Sequence, residues 1–336
     1  MQLKNNLLLP LTMVLSVLSI FAALSFGAAP SKFVDVYYSV IGQWFGQGSD
    51  SFIERIIWQL RLPRTLLAFL AGSGLAIAGL ILQTVTRNPL ADPYLFGISS
   101  GASFGVVCFI TFTGISAGFS MSLAAFVGSM LTMCLLVFIA GRRSSAQVET
   151  MLLAGVALSF LFSAFTSLLL YFSDPQAITA ILFWTLGSFA RAQWQALWLP
   201  ALVIFSCIIL LMSFRRQLNA MLLGDESATT LGIPVQRFRL LMLVLSSLIT
   251  ALLVALCGGI GFVGLMIPHI VRFFVSQGTL TGLAMTALVG GTFMVWVDVL
   301  SRIVMSNQEL PIGVITSAIG SVFFLSLLCF RKKVYQ

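Results

Sequence analysis

The sequence predicts an all-α polytopic membrane protein with ten transmembrane helices, on three observations. Of 336 residues, 59% are hydrophobic and 8% charged, whereas a soluble domain carries about 25% charged residues. Mean hydropathy is +1.06. Uncharged apolar runs of about 20 residues, the length that spans a bilayer, recur along the chain. A soluble fold of this size could not cover so much apolar surface with polar groups. That sets aside a soluble enzyme, a nucleic-acid module and a disordered chain. The runs are continuous rather than alternating, which sets aside a β-barrel.

The first run, residues 7–26, follows Lys4 and precedes Gly27-Ala28-Ala29, which resembles a secretory cleavage site. It exceeds the ~7–15 apolar residues of a signal peptide and is read as a retained helix. The second, 65–84, contains the stretch Ala71-Gly72-Ser73-Gly74-Leu75-Ala76-Ile77-Ala78-Gly79. Small residues at seven of its nine positions let helices pack backbone to backbone, as in a bundle interior. Runs at 93–112, 116–140, 151–172, 192–214 and 240–257 follow. Residues 258–271 are shorter and broken by glycines and Pro268; counted as a crossing, they bring the total with 279–297 and 310–330 to ten.

The basic residues test this count. With the N-terminus inside, Lys4, Arg87, Arg142, Arg143, Arg215, Arg216, Arg237, Arg239, Arg272, Arg331, Lys332 and Lys333 fall inside. Lys32, Arg55, Arg61, Arg64, Arg191 and Arg302 fall outside. Twelve of 18 on the cytoplasmic side follows the positive-inside rule and places both termini in the cytoplasm. Without the short crossing, Arg331-Lys332-Lys333 would lie outside. The net charge of +8 thus reports orientation rather than nucleic-acid binding. The five cysteines lie inside predicted spans, with no disulfide or zinc spacing.

Two motif matches lack their context. Residues 259–264 fit G-x-G-x-x-G, but a dinucleotide site needs a βαβ unit and an acid about 20 residues on. The next acid here is Asp298. Gly97-Ile98-Ser99-Ser100-Gly101 fits the G-x-S-x-G nucleophile elbow, which needs a strand–turn–helix, a histidine and an acid. The sole histidine, His269, cannot make a multi-histidine metal site and reads as a structural residue at a helix end. None of the four lysines follows a glycine, so the chain has no Walker A loop.

Two polar segments remain. Arg87-Asn88-Pro89-Leu90-Ala91-Asp92-Pro93 breaks the chain at a cytoplasmic span end, where two prolines stop one helix and start another. The longest cytoplasmic segment, about 215–239, contains Leu223-Gly224-Asp225-Glu226-Ser227-Ala228-Thr229-Thr230-Leu231-Gly232-Ile233-Pro234. Asp225 and Glu226 suit the first turn of a helix, and Gly232 with Pro234 ends it about two turns later. Such a helix is either a docking element or a neutral insertion.

Here the chain resembles a known family: the permeases of the iron-siderophore, haem and cobalamin class of ABC importers (the FecCD family, with the type II importer fold). The matching residues are Arg61-Leu62-Pro63-Arg64, Leu82-Gln83, 87–93, 97–102, 152–158, Trp184, Gly187-Ser188, Trp194 and 223–232. Gly261-Phe262-Val263-Gly264-Leu265, Pro268-His269, Arg272, Asp298, Arg302 and Glu309-Leu310-Pro311-Ile312-Gly313 complete the pattern in family order. Gly259 and Ser321-Val322 depart from it, at positions where the family often has proline.

The resemblance implies a single permease domain over residues 1–336 that acts as a homodimer in the bacterial inner membrane. Two cytoplasmic ATPase subunits, which carry ATP and Mg2+, and a periplasmic binding protein would be its partners. The chain itself would bind no cofactor, metal or nucleic acid and catalyse nothing. Leu223, Gly224, Asp225, Glu226, Ser227, Ala228, Leu231 and Gly232 match the coupling helix that enters an ATPase cleft. Asn88, Leu90, Val148 and Glu149 match segments that narrow the cytoplasmic end of the path. Arg61, Arg64 and Arg302 match positions that dock acidic residues of the binding protein; the alternative is that they snorkel as anchors. Asp298 is expected to pair with Arg302 one turn away. The implied cargo is a ferric siderophore, haem or cobalamin, with an oxyanion such as molybdate as alternative. An ion-coupled secondary transporter is the rival, disfavoured because the acids sit near span ends.

Overall fold

A computed structural model describes residues 2–27, 32–44, 51–115, 118–141, 148–275, 278–305 and 308–331. Arg142, Arg143, Lys332 and Lys333, counted above as cytoplasmic charges, lie outside these, as do Ala28 and Ala29. The described residues form α1 (Gln2–Ser25), α2 (Phe33–Trp44), α3 (Phe52–Arg55), α4 (Leu62–Thr86), α5 (Ile98–Thr113), α6 (Phe119–Gly141), α7 (Val148–Tyr171) and α8 (Pro175–Thr185). Then come α9 (Trp194–Ser213), α10 (Arg215–Leu222), α11 (Asp225–Thr230), α12 (Val235–Cys257), α13 (Val263–Arg272), α14 (Leu280–Ile303) and α15 (Ile312–Arg331).

Among the described residues, eight helices are long and apolar enough to cross a membrane: α1, α6, α7, α9, α12, α14, α15 and the continuous 35-residue helix Phe52–Thr86. The other two expected crossings are short. α5 has 16 residues and α13 only 10. At 1.5 Å per residue α13 covers about 15 Å, half of a ~30 Å hydrocarbon core. α2 and α8, which no apolar run marks, are 12 and 11 residues long. Both are too short to span.

The long helix widens into a π-helical turn at Ile56–Arg61, just before Pro63. Proline lacks an amide proton and crowds the carbonyl four residues back, and a wider turn relieves both problems. Beyond it, α4 is the axis of the bundle, packed on α14, α12 and α13. The small residues work as expected. Gly72 abuts the Gly290 carbonyl, and a Cβ on Gly79 would overlap the Gly264 carbonyl. Gln83 Nε2 donates to the carbonyls of Gly264 and Leu265, at 3.0 and 3.2 Å.

A second layer joins α5, α6 and α7, with Gly155 of α7 against Leu95 and Phe96. α1 lies along α14, where Ser16 Oγ meets Thr292 Oγ1 at 2.8 Å. α8, α12 and α15 meet through Ser188 N–H to Cys257 O (2.8 Å) and Gly313 N–H to Leu186 O (2.9 Å). The G-x-G-x-x-G stretch is the irregular connector leading from this junction into α13, and the described residues contain no strand. Gly97-x-Ser99-x-Gly101 likewise follows a 3-10 turn, Pro93–Phe96, and opens α5. His269 packs edge-on against Phe273 and Phe323. Cys207 and Cys257 are buried as expected, whereas Cys134 and Cys329 are exposed, which an apolar thiol tolerates against lipid.

Candidate functional site

The expected sites fall at two opposite ends of α4. At its C-terminal end lies the capped segment. α11 begins after Gly224 and ends in a full Schellman motif: Ile233 N–H donates to Ala228 O (3.0 Å) and Gly232 N–H to Thr229 O (2.9 Å). Gly232 has φ +80°, a left-handed conformation that a side chain would strain. The helix buries Ala228 and leaves Leu223 and Leu231 at its flanks 70% and 65% exposed.

Asp225 does more than complement the helix dipole. Arg239, at the start of α12 and 3% exposed, donates from Nη2 to both Asp225 oxygens at 2.8 Å. Its Nε donates to Val85 O at 3.1 Å, in the last turn of α4. Arg87 reaches the same carboxylate at 3.1 Å, from the left-handed position that caps α4 (φ 52°). One carboxylate thus joins α11, α12 and the end of α4. Sequence reading counted Arg239 only as a cytoplasmic charge; its partner is 14 residues away on another helix, and no spacing rule points to it.

The turn after Arg87 holds the expected gate residues. Asn88 Oδ1 accepts from Leu90 N–H at 2.9 Å, an Asx turn, and leaves Leu90 exposed. Val148 and Glu149 open α7, whose Gly155 packs on the 3-10 turn after Asp92. Both pairs therefore sit at the same end of the bundle, with no hydrogen bond or ion pair between them among the described residues.

At the other end, Arg61, Arg64 and Arg302 do come together, but turned inward. Arg64 binds Asp298 (2.8 Å) and Glu309 (2.7 Å). Arg302 binds the other Asp298 oxygen at 3.0 Å, the expected one-turn pair. Arg61 and Arg302 donate to the carbonyls of Leu24 and Phe26, both at 2.8 Å, where α1 ends and its last carbonyls lack partners. This corrects the snorkelling alternative: the guanidiniums are spent inside the chain. Asp298 is fully buried, whereas Glu309 keeps 47% of its side chain exposed. Glu309 is therefore the more accessible of the two acidic partners of Arg64. Among the described residues no group of three or more metal-ligating side chains occurs.

Comparison with known proteins gives concordant results. A family model described as the FecCD transport family matches residues 14–330. The haemin transport system permease HmuU of Yersinia pestis is 37% identical over 282 residues, covering 82% of this chain and 84% of that protein. The vitamin B12 import system permease BtuC of Klebsiella pneumoniae is 37% identical over 289 residues, covering 85% of each. A solved structure described as an inward-facing metal-chelate type ABC transporter superposes with a TM-score of 0.84 at 32% identity. That match covers 96% of this chain and 98% of the other.

Proposed function

The chain belongs to the FecCD transport family and is an ABC importer permease, a transport component rather than an enzyme; from that premise we propose that two copies form the path for a chelated metal compound. The haemin and vitamin B12 permeases among its relatives and the metal-chelate type of the similar transporter support that cargo class. They give no support to the oxyanion alternative. In this reading the domain lies in the bacterial inner membrane with both termini cytoplasmic. A periplasmic binding protein delivers the cargo, and two ATPase subunits bind ATP and Mg2+.

The observation that carries the mechanism is the three-way tie at Asp225. Leu223 and Leu231 seat α11 in an ATPase cleft. ATP binding moves α11, and Asp225 passes that displacement to Arg239 and Arg87, hence to the end of α4 and the turn with Asn88 and Leu90. Val148 and Glu149 face the same exit. Alternation between outward- and inward-open states follows from biasing this linked element. On the outer side, a binding-protein carboxylate docks by displacing Glu309 from Arg64, while Asp298 keeps Arg64 and Arg302 in place.

The test is reconstitution in liposomes with the ATPase and binding protein, presenting haemin, cobalamin or a ferric siderophore. Uptake that needs ATP and survives a proton uncoupler is expected. Uptake that continues without the ATPase and collapses with the uncoupler would overturn the reading in favour of ion coupling.

A further inference from the structure

We propose that a groove between α4, α9, α10 and α14 is a binding site for an anionic phospholipid, with an acyl chain against its walls and the phosphate on Arg215. The groove is shallow, with about 30 Å3 of enclosed space, and open to the exterior along its length. Leu80, Leu211, Leu218, Leu280 and Leu283 wall it. Its mouth lies where three membrane helices end: Thr84 is in the last turn of α4, Arg215 follows α9, and Gly278 and Thr279 precede α14. That is the depth of a lipid headgroup.

The chemistry changes at the same level. Away from the mouth the lining is leucine, isoleucine and Met212; at the mouth it is Thr84, Arg215, Asn219 and Thr279. Asn219 Nδ2 donates to Gly278 O at 3.0 Å and holds α10 against the start of α14. α10 therefore lies with Leu218 in the groove and Arg215 and Arg216 exposed, the arrangement of an interfacial amphipathic helix. Arg87 and Arg239 share Asp225, whereas neither Arg215 nor Arg216 has an ion-pair partner among the described residues. An apolar trough rimmed by uncommitted arginines matches a lipid phosphate above its chain, and basic pockets between helices bind such headgroups. The proposed orientation enters only in making this the cytoplasmic leaflet.

The experiment uses the full permease with its ATPase subunits, in nanodiscs of phosphatidylglycerol and phosphatidylcholine in equal amounts. Lipids retained after detergent exchange are counted by native mass spectrometry. Phosphatidylglycerol is expected to be retained in preference. Arg215→Gln should cut that preference about fivefold, the contribution of one basic residue at a membrane surface. Leu280→Trp, which fills the groove from an exposed position, should abolish retention, while Leu153→Trp on the exposed face of α7 should not. Equal retention of the two lipids, or a preference unchanged in both Arg215→Gln and Leu280→Trp, would overturn the proposal. So would retention in the isolated permease that the ATPase subunits abolish, since the groove would then be their seat. Failed transport with intact lipid preference would count against the transport reading alone.

Discussion

Replacing Arg239 with glutamine isolates the tie between α11 and α4. The change removes two hydrogen bonds to the Asp225 carboxylate and one to Val85 O. A hydrogen bond to a charged group contributes roughly 1.5–3 kcal/mol. Asp225 is 41% exposed, so water takes over its freed oxygens and much of that is recovered. A net loss of about 2 kcal/mol remains, dominated by the buried side. If this pair carries the coupling, 2 kcal/mol corresponds to about a 30-fold drop in cargo moved per ATP hydrolysed. Arg87→Gln is the internal control. Its pair with Asp225 is about half-exposed on both sides, worth no more than ~0.5 kcal/mol, or roughly a twofold drop. The assay is uptake and phosphate release measured together in proteoliposomes. Equal transport per ATP in Arg239→Gln and the unsubstituted protein, with ATPase subunits bound normally, would refute the tie as the transmitting element.

Three other outcomes are expected. Leu223→Asp and Leu231→Asp should each weaken ATPase association by about 2 kcal/mol and leave the permease monodisperse, because both side chains are exposed; pull-down titration reads this. Arg64→Ala should cost roughly 1.5–3 kcal/mol, because fully buried Asp298 loses one of its two arginine partners and keeps Arg302, against less than ~1 kcal/mol for Glu309→Gln. Size-exclusion survival after heating separates the two, and equal survival would deny the buried cluster a structural role. Gly79→Ala forces α4 away from the Gly264 carbonyl at about 1–3 kcal/mol, whereas Gly141→Ala, in open space at the end of α6, should be tolerated in the same heating assay.

What the sequence made legible was what depends on short-range order. Apolar runs marked the spans because bilayer thickness fixes their length. Asp225, Gly232 and Pro234 marked a capped helix because caps are local. Even the broken crossing was legible, through Pro268 and its glycines. The arginines show where such reading stops. Their positions were legible at a span end, but their direction depends on partners 234 and 245 residues away for Arg64. α8 was missed because an 11-residue helix has neither the length of a span nor a polar composition. Arg239 was missed because a basic residue at a span end satisfies the topology rule without further explanation.

The arginine caps on α1 also bear on biosynthesis. α1 is made before both groups that close its open carbonyls: Arg61 follows Leu24 by 37 residues, in the second span, and Arg302 follows Phe26 by 276, in the ninth. Its hydroxyl contact is with Thr292, again in the ninth. The end of α1 is thus closed in two stages, by Arg61 once the second span is made and by Arg302 only with the ninth. A chain truncated before α14 would keep the Arg61 bond to Leu24 but lose the Arg302 bond to Phe26 and the Ser16 contact with Thr292.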